Sequence, residues 1–273
     1  MESRLSAHIR SVYATGEKAL GVFVTSGFPS PEHTLSILKA IDEGGSDFIE
    51  LGMPFSDPLA EGLPIQHSSQ VALEAGITMR QTLETAASFS SQSTTPLVLM
   101  GYANPIVKYG ISNFFRDARS SGVEGVILPD VLPELDSPFM EAARANHVDL
   151  IHLIAPTTPV ERMKFIDSVS SGFVYAVTVT GVTGSELGSK QPIQDYLKMA
   201  AEIMEVNPLL VGFGIRSHAD VVEMAQHTQG AIVGSALVSV IDTLWDDETL
   251  SPSERLEGIR AFVHELKYGN LHA

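Results

Sequence analysis

The sequence predicts a (β/α)8 TIM barrel with extra N-terminal and C-terminal helices, and three observations carry that prediction. Short apolar runs alternate with stretches of helical periodicity along all 273 residues, a pattern that implies a parallel sheet with helices packed on it. The length suits one barrel, which typically takes about 250 residues, so one domain is expected over residues 1–273. No GxGxxG follows the first apolar run, which counts against the open dinucleotide-binding sheet that would alternate in the same way.

Each element has its own warrant. Leu5, Ile9 and Val12 recur at helical spacing and predict a short amphipathic helix over one end of the core. Residues 20–24 (LGVFV) read as strand one. A helix follows from about residue 31, with Leu35, Leu38 and Ile41 as its stripe and Gly44-Gly45 as its stop. Residues 48–51 (FIEL) are strand two, and helices are expected over 65–74 and 78–90. Strand three is 96–100, leading into a loop at 101–105, and a helix covers 111–121. Strand four is 125–128, then a proline-rich connection and a helix over 137–146. Strand five is 149–154, and the helix over 159–169 is expected to be capped by Thr158. Strand six is 173–177, a helix covers 193–206, and strand seven is 209–211. Strand eight is 231–233, and an amphipathic helix over 253–266 closes the chain.

Composition excludes several functions. There is no apolar run of about 18 residues and no basic leader before an apolar stretch, so neither a membrane span nor a signal peptide is expected. The absence of cysteine removes disulfides and thiolate metal sites and fits a cytoplasmic protein, or a plastid stromal one although no transit peptide is seen. Nine scattered histidines without an HxxxH pair argue against a metal centre. A net charge of −16 repels nucleic acid and anionic membranes, and it means that any phosphate must be held by local neutral donors.

Two features point to chemistry. Glu50 is a lone acid in an apolar strand, where burial of an unpaired charge is expensive. The loop that follows adds Asp57 and Glu61 among prolines and glycines, and in a barrel the strand C-terminal ends carry the catalytic groups. An ordinary acidic loop with a solvated strand-end glutamate is the plain alternative. Later, glycine-rich exits follow strand six (Gly181, Gly184), strand seven (Gly212, Gly214) and strand eight (Gly234-Ser235). Loops after strands seven and eight commonly bind phosphate through backbone N–H groups at a helix N-terminus, and Arg216 could add one positive charge. The exit at 178–190 is long enough to act as a lid over a substrate.

With these residues in view, the chain resembles the tryptophan synthase alpha chain family. Residues 50–62 match the signature E-L-G-x-P-F-S-D-P-x-A-[D/E]-G, supported by YAN at 102–104, PD at 129–130, TGVTG at 180–184, GFG at 212–214 and GS at 234–235. The resemblance implies a lyase that splits indole-3-glycerol phosphate into indole and glyceraldehyde 3-phosphate. It implies Glu50 as general acid/base and Glu61 as the second carboxylate, facing the indole N–H. Phe23 and Met100 would line the indole pocket, with Tyr102, Tyr175, Thr183 and Phe213 also at the substrate. Gly184, Gly214, Gly234 and Ser235 would hold the phosphate. The chain would need no cofactor of its own. Its expected partner is a pyridoxal-phosphate-bearing β subunit in an α2β2 assembly, docked over the strand C-terminal face through Asp57, Asn104 and Pro105.

Two positions depart from the family's usual pattern: the second carboxylate is Glu61 rather than Asp, and position 179 is Val where some members carry Arg. Rival readings are another phosphosugar barrel, such as indole-3-glycerol phosphate synthase or an isomerase, and a weakly catalytic subunit that mainly activates a β partner. The first generally needs a Lys or Asp on early strands, and Lys is missing from the strands read here.

Overall fold

The computed structural model describes residues 3–178, 191–212 and 214–269. Eight parallel strands close into a barrel in sequence order: β1 (Ala19–Thr25), β2 (Phe48–Gly52), β3 (Leu97–Met100), β4 (Val123–Ile127), β5 (Asp149–Ile154), β6 (Val174–Val177), β7 (Leu209–Gly212) and β8 (Gly230–Val233). β8 returns to β1, pairing Ala231 with Leu20. The described helices are α1 (Arg4–Ala14), α2 (Thr34–Glu43), α3 (Leu63–Glu74), α4 (Met79–Ser90), α5 (Ala103–Tyr109), α6 (Ile111–Ser120), α7 (Ser137–Ala145), α8 (Val160–Val169), α9 (Gln191–Ile203), α10 (His218–Met224), α11 (Ser235–Asp246) and α12 (Pro252–Tyr268).

Large and small side chains alternate inside the barrel. The Phe48 ring of β2 meets Phe173 at the start of β6, centroids 5.4 Å apart. That packing needs glycine opposite, because a Cβ on Gly21 would stand 2.2 Å from Cζ of Phe48. Strand periodicity of two then puts Phe48, Glu50 and Gly52 on the same inward face. Leu5 of α1 lies against the Gly125 and Gly172 backbone and plugs the N-terminal end, the placement expected of that helix. At the same end, the nearly buried Lys267 of α12 binds Asp47 Oδ2 at 2.7 Å and the Lys18 carbonyl at 3.0 Å. Asp47 also accepts the Leu20 N–H at 2.6 Å. The last helix is thereby tied to the strand starts.

Two local expectations are corrected. Thr158 does not cap α8: its hydroxyl accepts the Ala155 N–H at 2.9 Å, and Pro159 occupies the cap position. The stretch after β3 is not a plain loop, because Asn104 and Pro105 lie in the first turn of α5, where proline loses no needed hydrogen bond.

Candidate active site

Glu50 is the middle residue of β2, paired in register with Phe23 of β1 and Val98 of β3. It is 1% exposed, and its Oε1 has no hydrogen-bond partner among the described residues. Burial pushes its carboxyl up to about 8, and the neighbouring Glu61 carboxylate adds to the rise. Glu61 ends the loop after β2, is itself buried, and is pushed up to about 7 by loss of water. Two carboxyls in one dry place cannot both ionise cheaply. At neutral pH Glu50 is therefore mostly protonated and able to give a proton as well as take one.

The loop that carries Glu61 is held at several points. The Glu61 N–H donates to the Pro58 carbonyl at 3.1 Å, and Gln66 Nε2 donates to the Glu61 carbonyl at 2.8 Å. The Ala60 N–H donates to the Tyr102 hydroxyl at 2.9 Å. α3, which follows, is fixed to the end of β1 through a buried contact between the Thr25 and Ser68 hydroxyls at 2.6 Å.

A narrow recess opens between these loops, lined among others by Phe23, Phe55, Glu61, Ile65, Met100 and Tyr102; Glu50 is not one of its walls but neighbours Phe23 across β1 and β2. The Phe23 ring covers Gly52, where a Cβ would come within 2.5 Å of its Cζ. Tyr175 of β6 is buried, and a Cβ on Gly212 would stand 2.0 Å from its hydroxyl oxygen. Burial raises the Tyr175 phenol well above its ordinary value, and the charges of Glu50 and Glu61 add to this.

The glycine-built end adjoins the recess. Gly234 immediately precedes α11, and its Cα faces Ile65 and Phe23, so that a Cβ there would lie 3.3 Å from Ile65 Cδ1 and 3.6 Å from Phe23 Cβ. Ser235 is exposed at the first turn of α11, and its Oγ stands 3.5 Å from where a Cβ on Gly62 would be. Gly214 has φ of +77° and open space around it. Arg216 is exposed on the turn after β7. A twelve-residue helix whose first turn is fronted by glycine and serine offers free N–H groups to an anion.

The fold thus gathers Phe23, Glu50, Glu61, Met100, Tyr102, Tyr175, Gly234 and Ser235 at one end. Thr183, Gly184, Phe213 and all but Thr178 of the expected lid at 178–190 lie outside the described residues. Asp57 and Asn104 are exposed and Pro105 is half-buried, all three on the same rim. Sequence reasoning missed Phe55, Ile65 and Ser69 as recess walls. Only the helical spacing of Ile65 and Ser69 on α3 could have pointed to them. Among the described residues no group of three or more His, Asp or Glu could hold a metal, and no helix is long and apolar enough to cross a membrane.

A closed parallel barrel in which two neighbouring buried carboxyls toward the strand C-terminal mouth, Glu50 and Glu61, both have raised pKa values defines the class, a (β/α)8-barrel enzyme. A family model of the tryptophan synthase alpha chain matches residues 9–267. The chain belongs to that family and is a lyase-type enzyme subunit. The tryptophan synthase alpha chain of Petrotoga mobilis is 40% identical over 250 residues, 92% of this chain and 95% of the relative. That of Chloroflexus aggregans is 40% identical over 265 residues, 97% of each chain. A Mycobacterium tuberculosis tryptophan synthase structure superposes with a TM-score of 0.87 at 33% identity, covering 98% of both chains. The tryptophan synthase subunit alpha of Legionella pneumophila strain Paris gives 0.88 at 31% identity, with the same coverage.

Proposed function

We propose that this chain cleaves indole-3-glycerol phosphate to indole and glyceraldehyde 3-phosphate. The observation that carries the reading is a buried Glu50 carboxyl, its Oε1 without a partner among the described residues, beside a second buried carboxyl, with burial raising both. Cleavage needs a proton delivered to indole C3, which turns the ring into an electron sink. It then needs the glycerol hydroxyl next to the breaking bond to lose its proton as the carbonyl forms. Glu50 gives the first proton and, as carboxylate, takes the second, so it ends as it began. The electrons of the broken carbon–carbon bond return to the indole ring. Glu61 faces the indole N–H and stabilises the positive charge that the ring carries between the two steps.

Phe23 and Met100 wall the indole, and Tyr102 and Tyr175 border the glycerol chain. Gly214, Gly234 and Ser235, with Gly184, hold the phosphate through backbone N–H groups and a hydroxyl. Phe213 and Thr183 complete the substrate contacts in this reading. Neutral donors suit a chain of net charge −16, and the absence of cysteine supports a cytoplasmic setting.

The partner is a β subunit carrying pyridoxal phosphate, which consumes the indole in an α2β2 assembly; this chain binds no cofactor itself. Leu59 and Leu135 are 81% and 76% exposed on the loops after β2 and β4. With Asp57, Asn104 and Pro105 they form an apolar and charged rim over the exit, which supports docking at that face. The purified chain, given indole-3-glycerol phosphate, should release indole and glyceraldehyde 3-phosphate in equal amounts, faster with a β subunit present. No cleavage in either condition would refute the assignment.

A further inference from the structure

Three loops at the mouth are joined by two hydrogen bonds, linked through the adjacent residues Tyr102 and Ala103, that reach Ala60, the neighbour of Glu61. Asp130, on the loop after β4, accepts the Ala103 N–H with both carboxylate oxygens at 3.1 Å. Ala103 is the first residue of α5, a helix whose preceding residue, Tyr102, makes no side-chain cap of its own. Asp130 therefore satisfies from a neighbouring loop an N–H that the helix leaves open. Tyr102 precedes Ala103 directly, so whatever fixes Ala103 also fixes where the Tyr102 side chain begins. The Tyr102 hydroxyl then accepts the Ala60 N–H at 2.9 Å, one residue before Glu61. Phe55 packs on the Tyr102 ring, centroids 5.2 Å apart, and brings the same loop under a second contact. Burial raises the Tyr102 phenol, with the charges of Glu61 and Asp130 adding to it, so both carboxylates act on that one hydroxyl.

We propose that Asp130 is a positioning residue that sets the place of Glu61 through Ala103, Tyr102 and Ala60. The inference rests on the reading of Glu61 as the second carboxylate of the reaction. Asp130 is exposed and touches no substrate in that reading; it acts only through the intervening loop. The exposed Leu132 and Leu135 follow it on the same loop, so a partner seated on that rim presses on the outer end of the chain of bonds. A purely local role, capping α5 and nothing more, would stop at Ala103.

Amide hydrogen exchange on the full chain separates the two roles without reference to catalysis. In Asp130→Ala the amides of both Ala103 and Ala60 should exchange about tenfold faster, the scale of one lost hydrogen bond. Asp130→Asn keeps an acceptor oxygen and should restore Ala60 to near the wild-type rate. Tyr102→Phe removes only the last bond, and should speed Ala60 while leaving Ala103 unchanged. In cleavage of indole-3-glycerol phosphate, Asp130→Ala should lower kcat about tenfold with KM within about threefold, since a misplacement of about 1 Å can cost up to about 10²-fold. Adding Tyr102→Phe to Asp130→Ala should speed Ala60 exchange no further, because both act on one linkage. Fast Ala103 exchange with Ala60 unchanged in Asp130→Ala would reduce Asp130 to a helix cap and overturn the proposal. A wild-type chain that cleaves no substrate would refute the assigned reaction instead, and the exchange result would still decide the positioning role.

Discussion

Replacing Glu50 by Gln should make the protein progressively more stable relative to wild type as pH rises. In the fold the Glu50 carboxyl is raised to about 8, against about 4.3 in an unfolded chain. Between those values the folded protein keeps a proton that the unfolded chain has released. The site's stability is therefore complete at acid pH, declines as pH climbs from about 4.3, and levels off past about 8. Each pKa unit is worth about 1.4 kcal/mol, and with the step still incomplete at both ends of the range the loss between pH 5 and pH 8 comes to about 3.5 kcal/mol. Gln keeps the size and polarity of the neutral acid but cannot ionise. Whatever constant offset the amide brings, the stability difference between variant and wild type should grow by about 3.5 kcal/mol over that range. Urea unfolding at pH 5, 6, 7 and 8, analysed by linear extrapolation, reads this directly. A difference that stays flat within about 0.5 kcal/mol, near the limit of such measurements, would refute a raised Glu50 carboxyl and with it the proton it is said to hold at neutral pH.

Other perturbations test other parts of the site. Gly52→Ala would drive a methyl to within 2.5 Å of the Phe23 ring; it should cost about 1–3 kcal/mol in urea unfolding, the usual range for overpacking, and raise KM. Gly234→Asp places bulk against Ile65 and Phe23 and a negative charge before α11, so calorimetry with a glycerol phosphate analogue should show at least about tenfold weaker binding. Asp47→Ala leaves the buried Lys267 ammonium with only the exposed Glu17 carboxylate, 3.4 Å away, and should destabilise by about 2 kcal/mol, less than the cost of a buried charge left wholly unpaired.

Much of this architecture was legible because a barrel strand is short, apolar and followed by a turn. Residues 48–51 and 209–211 could be read for that reason, and Glu50 stood out as an acid where only apolar residues belong. The glycine-rich turns after strands seven and eight were legible from their order, Gly234 standing directly before α11. What the chain hides is contact between distant loops. The bond from Ala103 to Asp130 depends on two loops meeting at the rim, and neither residue signals it. α5 was read as loop because Gly101 and Asn104-Pro105 look like turn chemistry, yet a proline in a first helical turn is tolerated. Thr158 sat where a cap belongs and bonded backward to Ala155 instead. The recess walls Phe55 and Ser69 carried no signal beyond ordinary loop and helix positions.

The most direct test of the central claim is single-turnover cleavage of indole-3-glycerol phosphate by wild type and by Glu50→Gln, each with saturating β subunit. Indole formation is expected from the wild type and a loss of at least about 10²-fold in the variant, the scale of a general acid–base group, with the phosphate analogue still bound. Cleavage by Glu50→Gln within about tenfold of wild type would contradict that claim.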